Sequence, residues 1–241
     1  MATHNNPEFS IIIPVANEGA ALPECLWRIE RGPSEIVVVD GGSEDASRAI
    51  AEEAGCRVIS LPEPHRARQM NCGAASARGQ ILLFLHADTW LPDRALDRIR
   101  AALDQRHVLG GGFARRYRSP SLILALTSRL AGLRNRVVGW HLGDQALFVR
   151  ADAFKRLGGF RDIPIFEDLD FSRRLRDLGR TVSLTPPVSS SARRFTARGP
   201  LRTTWEDLLL TRKYLLGTDP NDLCQAPPDR LKTLQAYERL S

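Results

Sequence analysis

Glu35-Ile36-Val37-Val38-Val39-Asp40-Gly41-Gly42-Ser43 is the stretch from which the architecture of this chain can be read. Four apolar residues run without a polar break and end at a carboxylate and two glycines. That is the pattern of a strand buried on both faces that stops at a turn. Upstream, Phe9-Ser10-Ile11-Ile12-Ile13-Pro14 reads as a strand of the same kind, stopped by its proline. Residues 20–30, between the two, read as a helix. Downstream, Ser43 suits the N-cap of a helix over 44–54, and Gly55 suits its close. Residues 57–60 make a third expected strand, 66–77 a helix ended by Gly79, and 81–85 a fourth strand, the most apolar of all. Pro92 falls near the first turn of a helix reaching Leu103. Strands and helices alternate, so the expected class is α/β: a mostly parallel central sheet with right-handed crossovers, flanked by helices on both faces. Ligands of such sheets bind at the carboxyl ends of the strands, which singles out residues 14–18, 40–43 and 86–88.

The second half is less regular. Residues 108–118, with the triplet Gly110-Gly111-Gly112, suit an irregular strand, and 121–133 an apolar helix. Residues 146–149 read as a strand, 167–178 as a helix closed by Gly179, and 181–184 as a strand. Residues 187–191 are strand-like, and 205–216 make a final amphipathic helix. A single domain over 9–217 is expected, between a disordered segment 1–8 and a loosely held tail 218–241. The net charge of +6, from 34 Lys and Arg against 28 acidic residues, suits nucleic acid, a membrane surface or an anionic small molecule. The arginines are spread through the chain with no basic tail, which argues against nucleic acid. Cys25, Cys56, Cys72 and Cys224 form no CxxC pair, as expected of free thiols in a reducing compartment. The first residues have no apolar signal core, and no apolar run reaches about 18 residues. A cytoplasmic protein is expected, with peripheral contact at the inner membrane left open.

Asp40 leaves the top of its strand, where a carboxylate can accept hydrogen bonds from a base or ribose. A turn-forming Asp before two glycines is the plain alternative. His86-Ala87-Asp88 ends the most apolar strand, and strand periodicity points residues 86 and 88 to one face. Together they can meet a divalent ion, Mg²⁺ or Mn²⁺, of the kind that neutralises a diphosphate. Capping of the next helix by Asp88 is the alternative. Glu167-Asp168, followed by Asp170, opens a helix whose dipole alone would favour acids there. A carboxylate facing a cleft at that point can instead be a general base for an acceptor hydroxyl. Arg193-Arg194-Phe195, with Arg198 and Arg202 nearby, offers forked hydrogen bonds to a diphosphate, against the reading of solvated surface arginines. The glycine triplet is too weak a signal for a phosphate loop, and neither a dinucleotide fingerprint nor a Walker loop occurs.

Taken in order, five segments resemble the motifs of the large inverting glycosyltransferase family 2, of the GT-A (nucleotide-diphospho-sugar transferase) fold. They are Ile11-Ile12-Ile13-Pro14-Val15-Ala16-Asn17-Glu18, Val37-Val38-Val39-Asp40-Gly41-Gly42-Ser43-Glu44-Asp45, Arg66-Ala67-Arg68-Gln69-Met70-Asn71-Cys72-Gly73, Phe84-Leu85-His86-Ala87-Asp88 and Phe166-Glu167-Asp168. The resemblance runs from about Phe9 to about Gly217. It implies that Pro14, Ala16 and Glu18 line the nucleotide pocket and that Asp40 binds the base. Gly42 and Ala87 would belong to the same nucleotide-sugar site, and Arg68 and Asn71 would face the donor. Asp88, with His86, would hold the metal. Asp168 would be the catalytic base and Glu167 its support, with Arg193 and Arg194 on a loop closing over the diphosphate. Two departures stand out. His86 occupies a position where the family usually has Asp, which removes a negative charge and leans toward an ion that accepts imidazole, such as Mn²⁺. Phe195 stands where processive members usually have tryptophan. A narrower likeness, carried by Phe84 to Thr89, Gly143-Asp144-Gln145 and Ser191 to Phe195, is to the bacterial subfamily labelled arsenosugar-biosynthesis glycosyltransferase.

The activity so implied is transfer of a sugar, with inversion, from a nucleotide-diphospho-sugar donor to an unidentified small-molecule or lipid acceptor. A nucleotidyltransferase is the rival enzyme, but it needs a basic loop after the first strand, and Val15-Ala16-Asn17-Glu18 is acidic. The non-enzyme rival is an inactive nucleotide-sugar-binding or membrane-surface module, with Leu122 to Leu133 and Trp205 to Leu216 lying on a bilayer. Joint retention of Asp40, Asp88 and Asp168 argues against lost catalysis.

Overall fold

A computed structural model describes residues 6–30 and 32–224. Residues 1–5 and 225–241, most of the expected N-terminal segment and tail, lie outside the described residues. Strands β1 (Phe9–Val15), β2 (Ser34–Asp40), β3 (Arg57–Ser60) and β4 (Ile81–Phe84) run parallel in the order β3-β2-β1-β4. Helices α1 (Leu22–Trp27), α2 (Ser47–Glu53) and α3 (Arg66–Ser76) make the crossovers. The chain continues through β5 (Thr89–Trp90), α4 (Ala95–Leu103), β6 (Val108–Tyr117) and α5 (Leu122–Val138). After a 3-10 turn (Gly143–Gln145) come β7 (Leu147–Arg150), α6 (Ala151–Arg156), α7 (Glu167–Leu178) and β8 (Arg180–Ser190). Helices α8 (Arg193–Arg198), α9 (Pro200–Leu215) and α10 (Pro220–Cys224) follow. All eight strands join one sheet, β3-β2-β1-β4-β7-β6-β8-β5. Its first four strands are parallel. β7 then runs antiparallel to both β4 and β6, β8 is parallel to β6, and β5 is antiparallel to β8.

Successive residues of the apolar strands feed opposite faces, as the pleat requires. Ile11, Ile13, Val38 and Leu83 pack with Leu22 and Ile99 on one side. Ile12, Val37, Val39, Leu82 and Phe84 pack with Met70, Phe154 and Phe171 on the other. Each such side chain contributes about 1.5–3 kcal/mol by burial, so a continuous apolar run is what a strand covered on both faces needs. Gln69 of α3 is buried among them. Its Nε2 donates to the carbonyls of Val15 (2.8 Å) and Val39 (2.9 Å), tying together the ends of β1 and β2.

The four parallel strands and three crossover helices of the first half follow the sequence reading, and the second half departs from it more. Residues 181–184 and 187–190 belong to one long strand, β8, rather than two segments, and Ser191 lies just past its end. β5, α6, α8 and α10 have no counterpart in the reading, and α9 begins earlier than expected. Ser43 is not a helix cap: α2 starts later, with Ala46 at its N-cap. The glycine triplet lies inside β6, flanked by β7 and β8. A Cβ on Gly110 would fall 2.4 Å from the Phe148 carbonyl oxygen, and one on Gly111 2.0 Å from that of Val182. Close backbone approach, not phosphate binding, accounts for the triplet.

Candidate active site

The ends of β1 and β2 are laced to each other. Asn17 takes a left-handed backbone (φ 54°) as the chain leaves β1. Its N–H donates to Ser43 Oγ (2.9 Å), and its Oδ1 accepts from the Glu44 N–H (2.8 Å). The Glu18 N–H donates to Ser47 Oγ and the Gly19 N–H to Asp45 Oδ2, each at 2.8 Å. These bonds fix Glu18 and Asp40 at one rim. Asp40 is buried and accepts from the Ser43 N–H at 3.1 and 3.3 Å to its two oxygens. Gly42 turns the chain with φ +80°, and a Cβ there would sit 3.0 Å from the Pro62 carbonyl oxygen. Pro14 and Ala16 are half-buried beside Glu18 in the chain.

One strand over, β4 runs out into His86-Ala87-Asp88. Arg193, from α8, pairs with Glu18 and stands 3.6 Å from Asp88 Oδ2, so one guanidinium spans the ends of β1 and β4. Arg118 donates to the Asp88 carbonyl oxygen at 2.9 Å. Burial pushes the Glu18 carboxyl up, against the opposing pull of Arg193.

Opposite these strand ends stands the first turn of α7. Phe166, with φ 64°, swings the chain into the helix and stacks on Tyr214 at 4.9 Å between ring centroids. Glu167 is buried and pairs with Arg66 at 3.2 Å, across 101 residues of sequence. Asp168 accepts from the Gly143 N–H and from the Leu169 N–H, both at 2.6 Å. Withdrawal from water, and then the neighbouring Glu167, push the Asp168 carboxyl up to about 6, the range of a working base at neutral pH. His86 lies across from it: a Cβ on Gly143 would be 2.6 Å from His86 Nε2 and 3.3 Å from Asp168 Oδ2. Burial, then Arg66, hold the imidazole below its usual range and therefore neutral, and its Nε2 is buried without a hydrogen-bond partner. Asp144 of the same turn resists ionisation through burial. The charge and hydrogen bond of Arg115 outweigh that and keep its carboxyl below the usual range.

The structure thus gathers Glu18, His86, Asp88, Glu167, Asp168 and Arg193, with Asp40 at the neighbouring strand end. Others take different places. Arg68 is exposed and pairs with Asp162 (2.9 Å) and Glu63 (3.1 Å). Asn71 uses its amide on the Phe160 backbone, donating at 2.8 Å and accepting at 2.9 Å. Arg194 pairs with Asp207 of α9, and the Ala87 side chain lies in the core. The sequence reading missed Arg66, Arg115 and Arg118. Arg66 opens the very segment that draws attention to Arg68, and only the helical phase tells the two apart. Asp144 lies in the Gly143-Asp144-Gln145 segment, but nothing in that segment alone gives it a role.

Among the described residues no group of three His, Cys, Asp or Glu side chains forms a ready cation cage. Of the two expected ligands, Asp88 lies 3.6 Å from Arg193, and His86 Nε2 is buried against Gly143 without a hydrogen-bond partner, so a divalent ion there would draw further ligands from a diphosphate and water. A cavity of about 720 Å³ opens elsewhere, lined by Asn135, Gly139, Arg176 and Thr181, at the opposite end of α7 from Asp168.

Residues 10–154 match the family described as Glycosyl transferase family 2. The undecaprenyl-phosphate 4-deoxy-4-formamido-L-arabinose transferase of Pseudomonas paraeruginosa is 33% identical over 156 residues, 59% of this chain and 46% of that protein. A PGL/p-HBAD biosynthesis glycosyltransferase of Mycobacterium bovis is 44% identical over 91 residues, 34% of this chain and 36% of that protein. The matched regions therefore span less than half the length of these relatives. Among solved structures, S. aureus TarS 1–349 in complex with UDP-GlcNAc superposes with a TM-score of 0.64 at 18% identity, covering 76% of this chain and 58% of that one. The mannosyltransferase PcManGT of Pyrobaculum calidifontis, in complex with GDP-Man and Mn²⁺, gives 0.62 at 20% identity, over 77% of this chain and 56% of that one.

Proposed function

The chain belongs to glycosyl transferase family 2 and has the GT-A fold, and on that basis we propose that it moves a sugar from a nucleotide-diphospho-sugar to a hydroxyl of a small-molecule or lipid acceptor, with inversion at the anomeric carbon. One observation carries the reading: a carboxylate tuned to about 6, Asp168, faces a rim that also holds Asp88, Arg193 and Arg66. In this reading the base and a set of groups suited to a leaving diphosphate act together, supported by the electrostatic reach of Arg66 to Asp88, Glu167 and Asp168.

Asp40 and the turn at Gly42 receive the base and ribose, beside Pro14, Ala16 and Glu18. Arg193 meets the diphosphate, where it would exchange its carboxylate partners for phosphate oxygens. A divalent ion at Asp88, Mn²⁺ or Mg²⁺, would neutralise charge on the departing diphosphate. Asp168 takes the proton from the attacking acceptor hydroxyl. Its two backbone N–H donors hold the carboxylate in place, and Glu167, paired with Arg66, sets the local charge. Positioning and charge stabilisation supply most of the rate, because a nucleoside diphosphate already leaves readily. The Pseudomonas relative is named for an undecaprenyl-phosphate acceptor, which supports a lipid-linked acceptor here. The narrower likeness to the arsenosugar-labelled subfamily, resting on Phe84 to Thr89, Gly143-Asp144-Gln145 and Ser191 to Phe195, is a proposal about the subfamily and names no acceptor.

The test is release of nucleoside diphosphate from a panel of nucleotide sugars, with product configuration read by NMR. An inverted product whose formation drops about 10³-fold in Asp168→Asn, with donor affinity kept, is the expected result. A variant as active as the parent removes Asp168 as the base. Pyrophosphate release from a sugar phosphate and a nucleoside triphosphate would point to a nucleotidyltransferase instead.

A further inference from the structure

Helix α5 is built inside out. Its 17 residues expose Leu122, Leu126, Leu130, Leu133 and Val137, spaced so that they line one face, while two of its three buried residues, Ser128 and Asn135, are polar. Helix α9 packs against it and exposes Trp205, Leu208 and, just past its end, Leu216. Of the large apolar side chains exposed among the described residues, all but Trp27 lie on these two helices or directly at their ends, at 39–85% exposure. Such concentration is not the scatter of single apolar residues normal on a soluble surface.

From this arrangement we infer that α5 and α9 form a docking face for an anionic lipid bilayer. The charges decide the occupant. No Asp or Glu occurs from Gln105 to Gly143, a stretch with seven arginines. Arg129 and Arg136 are exposed on the leucine face of α5 itself. On α9, Asp207 is paired with Arg194 and Glu206 with Arg202, while Arg212 and Lys213 stand exposed. Leucines flanked by cations suit the boundary between acyl chains and headgroup phosphates, with tryptophan at the interface. A second copy fits less well, because a two-fold contact would set this cationic face against itself. No helix among the described residues is long and apolar enough to cross a membrane, so the pair lies in the membrane plane.

The face adjoins the candidate active site. Arg134 of α5 stands 3.4 Å from Gln145, in the turn whose Gly143 N–H binds Asp168, and α9 follows directly on α8 with Arg193. Docking would hold the Asp168 side of the cleft at the headgroup layer, in reach of an acceptor embedded there. The inference goes beyond the transfer reading and stands without it.

The experiment is co-sedimentation of the full chain with vesicles of equal parts phosphatidylcholine and phosphatidylglycerol, against vesicles of phosphatidylcholine alone. The parent is expected to sediment with the anionic vesicles and to be released by high salt. Joint substitution Leu126→Gln, Leu130→Gln and Leu133→Gln weakens binding by at least about tenfold, and Arg129→Gln with Arg136→Gln weakens it as well. Trp27→Gln, at the isolated exposed tryptophan, leaves it unchanged. All of these positions are exposed, and circular-dichroism melts check that each variant folds. Absence of sedimentation by the parent overturns the proposal, including the case where residues 225–241 cover the face. So does unchanged binding by the triple variant. A dimer in sedimentation velocity that the leucine substitutions dissolve would assign the face to a second copy, and likewise overturns it. Donor turnover measured without vesicles reports the transfer reading separately.

Discussion

Asp168 sits under opposing demands. A base for an acceptor hydroxyl must be ionised near neutral pH, yet its surroundings favour the proton, and its carboxyl is pushed up to about 6. The same value governs rate and stability. With Asp168 as base, kcat/KM falls about tenfold per pH unit below about 6 and levels above it; a pH–rate profile checks this, and an acid limb lying near 4 would separate the base from this carboxylate. For stability the sign is reversed from the usual acid. Unfolded Asp titrates at about 3.9, so between there and about 6 the folded chain holds more protons than the unfolded one. Stability therefore falls as pH rises through that window and stays lowered above it. Asp168→Asn removes the penalty but gives up one of the two acceptor oxygens, so melts should show its stability relative to the parent better at pH 8 than at pH 4 by about 1–2 kcal/mol. Arg66 makes the complementary case. Its guanidinium is the partner of buried Glu167, so Arg66→Gln leaves that carboxylate with no cation in contact. The expected result is a loss of about tenfold or more in kcat, with the acid limb moved to higher pH, because a nearby positive charge has gone. Arg68→Gln, at the surface pair with Asp162, should change neither.

Among the strands and turns, glycines mark where chain segments come closest. Gly111 of β6 has no room for a methyl, since its Cβ would lie 2.0 Å from the Val182 carbonyl oxygen in β8. Gly111→Ala must push β6 and β8 apart and is expected to cost more than about 3 kcal/mol by urea denaturation. Gly143→Ala is different in kind. Its Cβ would press on His86 Nε2 at 2.6 Å, a side chain that can shift, so melting should change little. Displacing the turn that holds Asp168 should lower kcat by about 10–100-fold with donor affinity intact. These elements also show how far the sequence could be read. β1, β2 and β4 are legible because Ile11 to Ile13, Val37 to Val39 and Leu82 to Phe84 are apolar without interruption, which only a doubly covered strand tolerates. β8 reads as two pieces because Pro186 and Pro187 interrupt its pattern, whereas β6 pairs with it on both sides of them, at Leu184 and again at Val188, across an irregularity in the register. The choice of Arg68 over Arg66 fails to foresee the site because both arginines suit a helix start, and facing is set by where that helix begins.

For the molecule as a whole, ligand binding should register as stability. A nucleoside diphosphate present at about 100 times its Kd adds about 2.7 kcal/mol, or a rise in melting temperature of about 5–10 °C for a chain of this size. The rise should shrink when a chelator is added and return with Mn²⁺ or Mg²⁺; a shift indifferent to chelator would remove the cation at Asp88. Burial is a local property, written residue by residue in apolar runs and turn signals. The α/β class, the parallel first half of the sheet and the strand ends bearing Glu18, Asp40 and Asp88 could therefore be read from the chain before any folding was considered. The family followed from the order and spacing of the motifs. Which charges meet is not local. The contact of Arg66 with Glu167 and the reach of Arg193 to both Glu18 and Asp88 depend on strand order, helix phase and the path of the chain after β7. Those pairings emerge only in the folded molecule, because a side chain's partner is set by the sum of every rotation between the two positions, and no single stretch of sequence contains that sum.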